Sequence, residues 1–263
     1  MMRHVADPTE LLALAERAAR AAGDLLRARV TSEATGLAYK SSSTDPVTDA
    51  DRDAEAMILG LLRSGRPDDA VLGEEGASAS GTSGLRWIVD PLDGTVNYLY
   101  GLPNFAVSIA CEDGDGTVVG VVHEPLSGET FTAIRGGGAW RDGAALAVNR
   151  PESLARSLVA TGFSYEAERR ARQGELFARL LPRVRDMRRA GSAAIDLAWV
   201  ACGRLDGYYE HGLTPWDWAG GALLVQEAGG VVRLVPAASG LPGALVAGAP
   251  DVVEALVAEL VHA

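Results

Sequence analysis

The sequence has almost no lysine. Of its 24 basic residues only Lys40 is a lysine, and the rest are arginines. A Walker A phosphate loop, GxxxxGK[ST], needs a lysine that follows a glycine, whereas Lys40 follows Tyr39, so that class of nucleotide-binding protein is excluded. The 35 acidic residues give a net charge of −11, which argues against a protein that binds nucleic-acid phosphates.

Cysteines and long apolar segments are also scarce. Cys111 and Cys202 form no CxxC pattern, so we expect two reduced thiols, as is usual in the cytoplasm. No uncharged apolar run approaches the ~20 residues that cross a bilayer. The first ten residues, MMRHVADPTE, lack the apolar segment of a signal peptide. We therefore expect a cytoplasmic protein that binds neither membranes nor nucleic acids.

Helix-like and strand-like segments fill most of the chain, and 48% of the residues are apolar. Apolar periodicity and turn residues predict helices at 8–30, 48–65, 166–181, 192–202, 216–228 and 250–262. Strands are predicted at 70–72, 86–89, 105–111, 117–122, 129–134, near Trp140, and at 157–161, 206–210, 230–235 and 244–247. The pattern predicts a mixed α/β (α+β) fold. Residues 1–263 form one domain, with an α+β half (about 1–150) and an α/β half (about 151–263).

One segment places two acids at the end of an apolar strand. Asp90 and Asp93 follow Trp87–Val89, and Pro91 is expected to stop the strand so that both carboxylates converge. With the Leu92 carbonyl they would supply the hard oxygen ligands that divalent cations prefer. Spacing alone also fits a simple capped turn between strand and helix.

The residues that follow suggest an anion site. Gly94 and Thr95 come directly after these acids, and a helix starting there would offer free N–H groups to a phosphate beside the cations.

Two other segments bring acids to the ends of elements. Glu74 ends a short strand in LGEEG, where a solvated acidic edge is the simpler reading. Asp217 lies between Trp216 and Trp218 at a helix start, where it could be an N-cap beside core tryptophans.

Together, GEE at 73–75, WIVDPLDGTVNY at 87–98 and PWDWAGG at 215–221 resemble the inositol monophosphatase family of metal-dependent, lithium-sensitive sugar-phosphate phosphatases. The similarity runs over nearly the whole chain and includes Lys40–Ser42, Asp45–Asp51, Gly191–Ala194 and Glu210. It implies a layered αβαβα sandwich of the sugar-phosphatase type and a homodimer.

The resemblance also implies roles for individual residues. Two or three Mg²⁺ ions would be held by Glu74, Asp90, the Leu92 carbonyl, Asp93 and Asp217. Thr95 with Asp51 or Glu74 would orient the attacking water, and Gly94 and Thr95 would bind the phosphate. The substrate would contact Asp93, Gly191, Ser192, Ala193, Glu210 and Asp217, under a loop that carries Lys40.

The expected activity is hydrolysis of a small phosphate monoester. Inositol 1-phosphate is the foremost expected substrate, because Val96–Tyr98 resembles the inositol-type branch of the family. Histidinol phosphate, fructose 1,6-bisphosphate and 3′-phosphoadenosine 5′-phosphate remain open, as does a non-catalytic binding protein of the same fold. From the residues alone, Glu210 could equally be an ordinary strand-end acid. His211 could line the entrance of the site, but a solvated loop histidine is the expectation.

Overall fold

The first helix begins where the sequence predicts. In the computed structural model, which describes residues 6–30, 36–40 and 46–261, the Asp7 carboxylate accepts the Thr9 N–H at 2.8 Å, and Pro8 opens the first turn. The second helix begins after Thr48, which forms a reciprocal capping box with Asp51.

The helices of the described residues are α1 (Pro8–Arg29), α2 (Asp49–Gly65), α3 (Thr95–Leu99), α4 (Ala167–Leu180), α5 (Ala193–Ala201), α6 (Pro215–Glu227) and α7 (Pro250–Val261). The strands are β1 (Ala38–Tyr39), β2 (Pro46–Val47), β3 (Ala70–Gly73), β4 (Ser78–Ala79), β5 (Arg86–Asp93), β6 (Ala106–Asp113), β7 (Gly116–His123), β8 (Thr130–Ile134), β9 (Gly138–Arg141), β10 (Ala144–Ala145), β11 (Leu158–Thr161), β12 (Asp186–Arg188), β13 (Gly207–His211), β14 (Val231–Val235) and β15 (Ala244–Gly248). Every predicted helix and strand is therefore confirmed, within a few residues at each end. Ser41, Ser42 and Asp45 of the family-like motifs lie outside the described residues.

The larger sheet has eight strands in the order β10-β9-β8-β7-β6-β5-β3-β4. Its neighbours run antiparallel, except that β3 and β5 are parallel. The buried faces of α1 and α2 pack on one side of this sheet, around Trp87, Val107 and Val121. On its other side lie α5 and α6, packed around Val122 and Phe131.

The smaller sheet has five strands in the order β12-β11-β13-β15-β14. Strand β11 is parallel to both of its neighbours, and β15 is antiparallel to both of its own. One face packs on α5 and α6 through Ala160 and Tyr208, and the other packs on α4 and α7 through Val159 and Val246. The layers therefore run helix, sheet, helix, sheet, helix, and the expected αβαβα sandwich is confirmed.

Strand β5 departs from the prediction because Pro91 does not stop it. The strand continues to Asp93, and its pairing with β6 shifts register between Asp90 and Asp93. A proline lacks the N–H that a regular ladder requires, and a bulge is one of the few places in a sheet that tolerates this loss. Both acids therefore belong to one bulged strand end.

Both cysteines are free thiols. Cys111 is buried and Cys202 partly buried, and burial raises the pKa of each thiol. Across the described ranges, no helix combines the length and the apolar character that a membrane span requires.

Candidate active site

One cavity of about 250 Å³ collects the predicted site residues. Those that line it are Lys40, Glu74, Asp90, Leu92, Asp93, Gly94, Thr95, Gly191, Ala193, Glu210 and Asp217. The two others lie directly behind the wall: Asp51 accepts a hydrogen bond from Thr95, and Ser192 donates one to Asp93. Residues up to 177 positions apart in sequence, from Lys40 to Asp217, are thus brought together.

The bulged end of β5 supplies two carboxylates that crowd each other and their neighbours. Asp90 is 1% exposed and accepts the Leu92 N–H at 3.0 Å. Burial, and then the negative charge of Glu74, raises the pKa of Asp90 well above its ordinary value. Burial and the charge of Asp217 do the same for the pKa of Asp93.

Asp217 is fixed by the start of α6, although not as its N-cap. The N-cap is Thr214, whose N–H and hydroxyl both donate to Asp217 Oδ2, at 2.6 and 2.8 Å. Burial raises the pKa of Asp217 to about 6. The flanking Trp216 and Trp218 pack around Ala219, so the aromatics support the helix start.

Thr95 and Asp51 form a second polar pair at the cavity. The Thr95 hydroxyl lies 3.0 Å from Asp51 Oδ1 and 3.1 Å from the Leu92 carbonyl, and both oxygens are acceptors. Asp51 is 1% exposed, and its Oδ2 accepts from the backbone and hydroxyl of Thr48. Burial raises the pKa of Asp51. Thr95 therefore has its orientation set by a buried carboxylate.

Gly94 leads into α3 in a conformation that favours glycine. Its φ is +98°, and a Cβ at this position would lie 2.8 Å from the Asn104 carbonyl. The expected helix start after Asp93 is therefore confirmed, with Gly94 in the N-cap position.

Lys40 faces the acidic end of the cavity. Its ammonium donates to Glu74 Oε1 at 2.8 Å and to Glu75 Oε1 at 2.5 Å. Burial lowers the pKa of Lys40, but the two carboxylates outweigh burial and raise it. Burial raises the pKa of Glu75 to about 7. The only lysine of the sequence therefore bonds two neighbouring carboxylates, one of which lines the cavity.

The donor set fits a hard divalent cation by its chemistry. Asp93 Oδ2 accepts two hydrogen bonds, from Ser192 and Ala194, both at 2.7 Å. Asp217 Oδ2 likewise accepts two, both from Thr214. The Oδ1 atom of each carboxylate accepts none of these four hydrogen bonds. A cation would relieve the repulsion that raises the pKa of these carboxyls. In residues 6–30, 36–40 and 46–261, however, no three acidic, histidine or cysteine side chains are arranged to hold an ion as they stand. Glu74 accepts a hydrogen bond from Lys40, and the ligand set stays a prediction.

Glu210 lies at the cavity on the smaller sheet. Its Oε2 accepts a 2.7 Å hydrogen bond from the hydroxyl of Tyr208, which is fully buried two residues earlier on β13. A Cβ on Gly162 would lie 2.0 Å from the same carboxylate, so the absence of a side chain there makes room for Glu210. Burial raises the pKa of Glu210 to about 7.

Comparisons with known proteins find similarity over nearly the whole chain. The model of the Inositol monophosphatase family matches residues 7–262. This chain belongs to that family. It is a phosphoric monoester hydrolase, and the family is generally metal-dependent.

Several relatives are similar over nearly their full length. The inositol-1-monophosphatase SuhB of Mycobacterium tuberculosis strain H37Rv is 41% identical over 280 residues, covering 99% of this chain and 96% of its own. The Nus factor SuhB of Escherichia coli K12 is 42% identical over 254 residues, covering 95% of each. The solved extragenic suppressor protein suhB of Bartonella henselae superposes with a TM-score of 0.88 at 35% identity, covering 95% of this chain and 98% of that one.

Some site residues of this family member are not evident from its sequence. Gly162, Ser164 and Arg189 line the cavity, yet each is an ordinary residue in a loop when the sequence is read alone. The glycine at the end of a predicted strand is the one available indication. His211 also lines the cavity, and the expectation of a solvated loop histidine is wrong: it ends β13, and its Nδ1 lies 2.8 Å from the Pro242 carbonyl.

Proposed function

We propose that this protein catalyses the Mg²⁺-dependent hydrolysis of a small phosphate monoester, with inositol 1-phosphate as the foremost substrate. The observation that carries the proposal is one cavity that holds Glu74, Asp90, Asp93 and Asp217 at one end and Glu210 beside them. Family membership and a relative named inositol-1-monophosphatase support the reaction class.

The four carboxylates would hold the metal ions, with the Leu92 carbonyl as a further oxygen ligand. Two or three Mg²⁺ ions would activate water and stabilise the negative charge that develops during hydrolysis. The chain's own contribution is to keep crowded carboxylates in place, through Ser192 and Ala194 on Asp93 and through Thr214 on Asp217.

Thr95 and Asp51 would orient the attacking water. Asp51 accepts at 3.0 Å from the Thr95 hydroxyl, which lines the cavity, whereas Glu74 is engaged by Lys40. This geometry favours Asp51 over Glu74 as the partner of Thr95. A positioned hydroxyl with a buried carboxylate behind it is suited to passing on a proton from water.

Substrate binding would use both ends of the cavity. Gly94 and Thr95 would receive the phosphate through the backbone N–H groups at the start of α3. Glu210, together with Gly191, Ser192 and Ala193, would bind the hydroxyls of the polyol. Cys111 and Cys202 do not line this cavity, so neither thiol is placed to form a phosphocysteine intermediate.

Other substrates of the same metal core are histidinol phosphate, fructose 1,6-bisphosphate and 3′-phosphoadenosine 5′-phosphate. A non-catalytic binding protein is less well supported, because Glu74, Asp90, Asp93, Asp217 and Thr95 all line one cavity. We further infer a cytoplasmic homodimer that is inhibited by Li⁺ at millimolar concentrations, from the family resemblance and the free thiols.

The direct test is phosphate release from inositol 1-phosphate by the purified chain, with Mg²⁺ and with EDTA. We expect turnover with Mg²⁺ that EDTA abolishes and that millimolar LiCl inhibits. Absence of Mg²⁺-dependent release from inositol 1-phosphate and from all three alternative substrates would overturn the proposal.

A further inference from the structure

The candidate active-site cavity has a second end of different chemistry. Beyond Glu210 it is lined by residues 163–166, which follow β11, by Arg169 and Gln173 of α4, and by Arg189, which follows β12. Apart from Phe163 and Glu166, these residues present hydroxyl, amide and guanidinium groups, whereas Glu74, Asp90, Asp93 and Asp217 present carboxylates. In a protein of net charge −11, the two arginines of this wall and Lys40 are the basic residues of a lining whose other charged residues are all acidic.

The neutral part of this wall is held by hydrogen bonds. Gln173 is 4% exposed, and its Oε1 accepts the Ser164 N–H at 2.7 Å. The Ser164 hydroxyl in turn accepts the Glu166 N–H at 3.1 Å. The segment that closes this end is therefore fixed by α4, and it presents a defined surface to a bound molecule.

The two arginines differ in how their charge is used. Arg169 pairs with Glu166 at 3.0 Å, and both side chains are about half exposed. Arg189 makes no ion pair with any residue in the described part of the chain, although it lies at a cavity with several carboxylates. Its charge is thus available to an anionic group.

The position of Arg189 links the phosphate-binding and polyol-binding residues. A Cβ on Gly191 would lie 2.5 Å from Arg189 Nη1, so the guanidinium rests against that glycine. The Gly191 carbonyl lies 3.3 Å from the point where a Cβ of Gly94 would be. Burial raises the pKa of Glu210, and the charge of Arg189 opposes that rise, so the two side chains are near each other. Arg189 therefore lies beside Gly191 and near Glu210, both of which are expected to contact the substrate.

We propose that Arg189 forms an anion subsite through which this cavity accepts phosphorylated sugars or polyols that carry a second anionic group. This inference rests on the proposed phosphatase function. A guanidinium binds a phosphate or carboxylate through two parallel hydrogen bonds, which a hydroxyl cannot match. Inositol 1-phosphate has only the phosphate that is hydrolysed, so it leaves Arg189 without an anionic partner.

The test compares three substrates and two neighbouring arginines. The substrates are fructose 1,6-bisphosphate, inositol 1-phosphate and p-nitrophenyl phosphate, each with saturating Mg²⁺. The variants are Arg189→Gln and the control Arg188→Gln, because Arg188 pairs with Asp186 at 2.6 Å and does not line the cavity. We expect the wild type to hydrolyse both the bisphosphate and inositol 1-phosphate.

We expect Arg189→Gln to lower kcat/KM for the bisphosphate about ten-fold or more, mainly through KM, because a charge-assisted hydrogen bond is lost. The other two substrates should change less than about two-fold, and Arg188→Gln should leave all three within the same range. Equal losses on all substrates, or a wild type that hydrolyses inositol 1-phosphate but not the bisphosphate, would overturn the inference. Failure to release phosphate from any substrate would instead overturn the proposed function.

Discussion

The two sheets bring different kinds of groups to the same cavity. The eight-stranded sheet contributes Glu74 after β3 and the pair Asp90 and Asp93 on β5, which repel one another. The five-stranded sheet contributes a single carboxylate, Glu210 on β13, bonded to a buried tyrosine and accommodated by Gly162. Asp217, on the helix between the sheets, completes the crowded end. The difference suggests that the first sheet performs the reaction and the second selects the substrate.

The strongest way to break this comparison is to remove one charge from the crowded end. Asp93→Asn and Asp217→Asn should each lower phosphate release from every substrate by about 100-fold or more, because each removes a charged oxygen ligand of a shared cation site. Steady-state kinetics at moderate Mg²⁺ measures this. Circular dichroism should show an unchanged fold, and near-normal turnover in either variant would refute the metal assignment.

A change on the second sheet should act on one substrate only. Glu210→Gln should lower kcat/KM for inositol 1-phosphate about 10- to 100-fold, because a hydrogen bond to a charged carboxylate is worth ~1.5–3 kcal/mol. p-Nitrophenyl phosphate has no polyol and should lose less than about three-fold.

Gly162→Ala should reproduce this selectivity without altering any charge, since its Cβ would displace the Glu210 carboxylate. The matched control is Gly174→Ala on α4, where a Cβ meets no atom within 4 Å. Equal losses on both substrates would assign Glu210 to structural support.

Lys40 tests whether the acidic end needs a compact cation. Lys40→Arg keeps the charge. In the wild type, however, a single ammonium nitrogen donates to both Glu74 and Glu75, and a planar guanidinium is wider and spreads its donors over several nitrogens. We expect kcat/KM to fall, or the Mg²⁺ requirement to rise, by about three- to ten-fold, and Lys40→Ala to do at least as much. An unchanged Mg²⁺ titration and unchanged kinetics would show that the lone lysine has no special role.

The smallest effect concerns stability and pH. Burial raises the pKa of Asp217 to about 6, whereas an unfolded aspartate titrates near ~4. Between these values the folded protein binds more protons than the unfolded chain, so this group's stabilisation is present below about pH 4 and is lost as the pH rises through about 6. In EDTA, the Tm of Asp217→Asn relative to wild type should therefore rise by a few degrees from about pH 5 to about pH 8. A difference that is constant or decreases with pH would contradict the raised pKa.

Local patterns in the sequence were enough to predict much of this molecule. Asp90, Asp93 and Asp217 each lie in a short segment whose strand or helix end is visible in the sequence, and each lines the cavity. The β5 strand was predicted to end at Pro91 because the bulge that accommodates a proline depends on pairing with β6. Strands β4 and β12 have only two and three residues, too few to show a periodicity.

The second end of the cavity was harder to predict for a physical reason. Gly162 is 48 residues from Glu210, and only the parallel pairing of β11 with β13 brings them together. Similarly, the sequence contains 23 arginines, and nothing in it indicates that Arg189 in particular lies at the cavity. Contacts of this kind depend on the folded chain, and so Gly162 and Arg189 were missed although Glu210 was predicted.

The division between the two sheets is tested most directly by one ratio: kcat/KM for inositol 1-phosphate divided by kcat/KM for p-nitrophenyl phosphate. It should be measured in wild type, Glu210→Gln and Lys40→Ala. We expect Glu210→Gln to lower the ratio about ten-fold or more, and Lys40→Ala to lower both rates while leaving the ratio within about two-fold of wild type. A ratio that falls equally in both variants would contradict the assignment of reaction to one sheet and selectivity to the other.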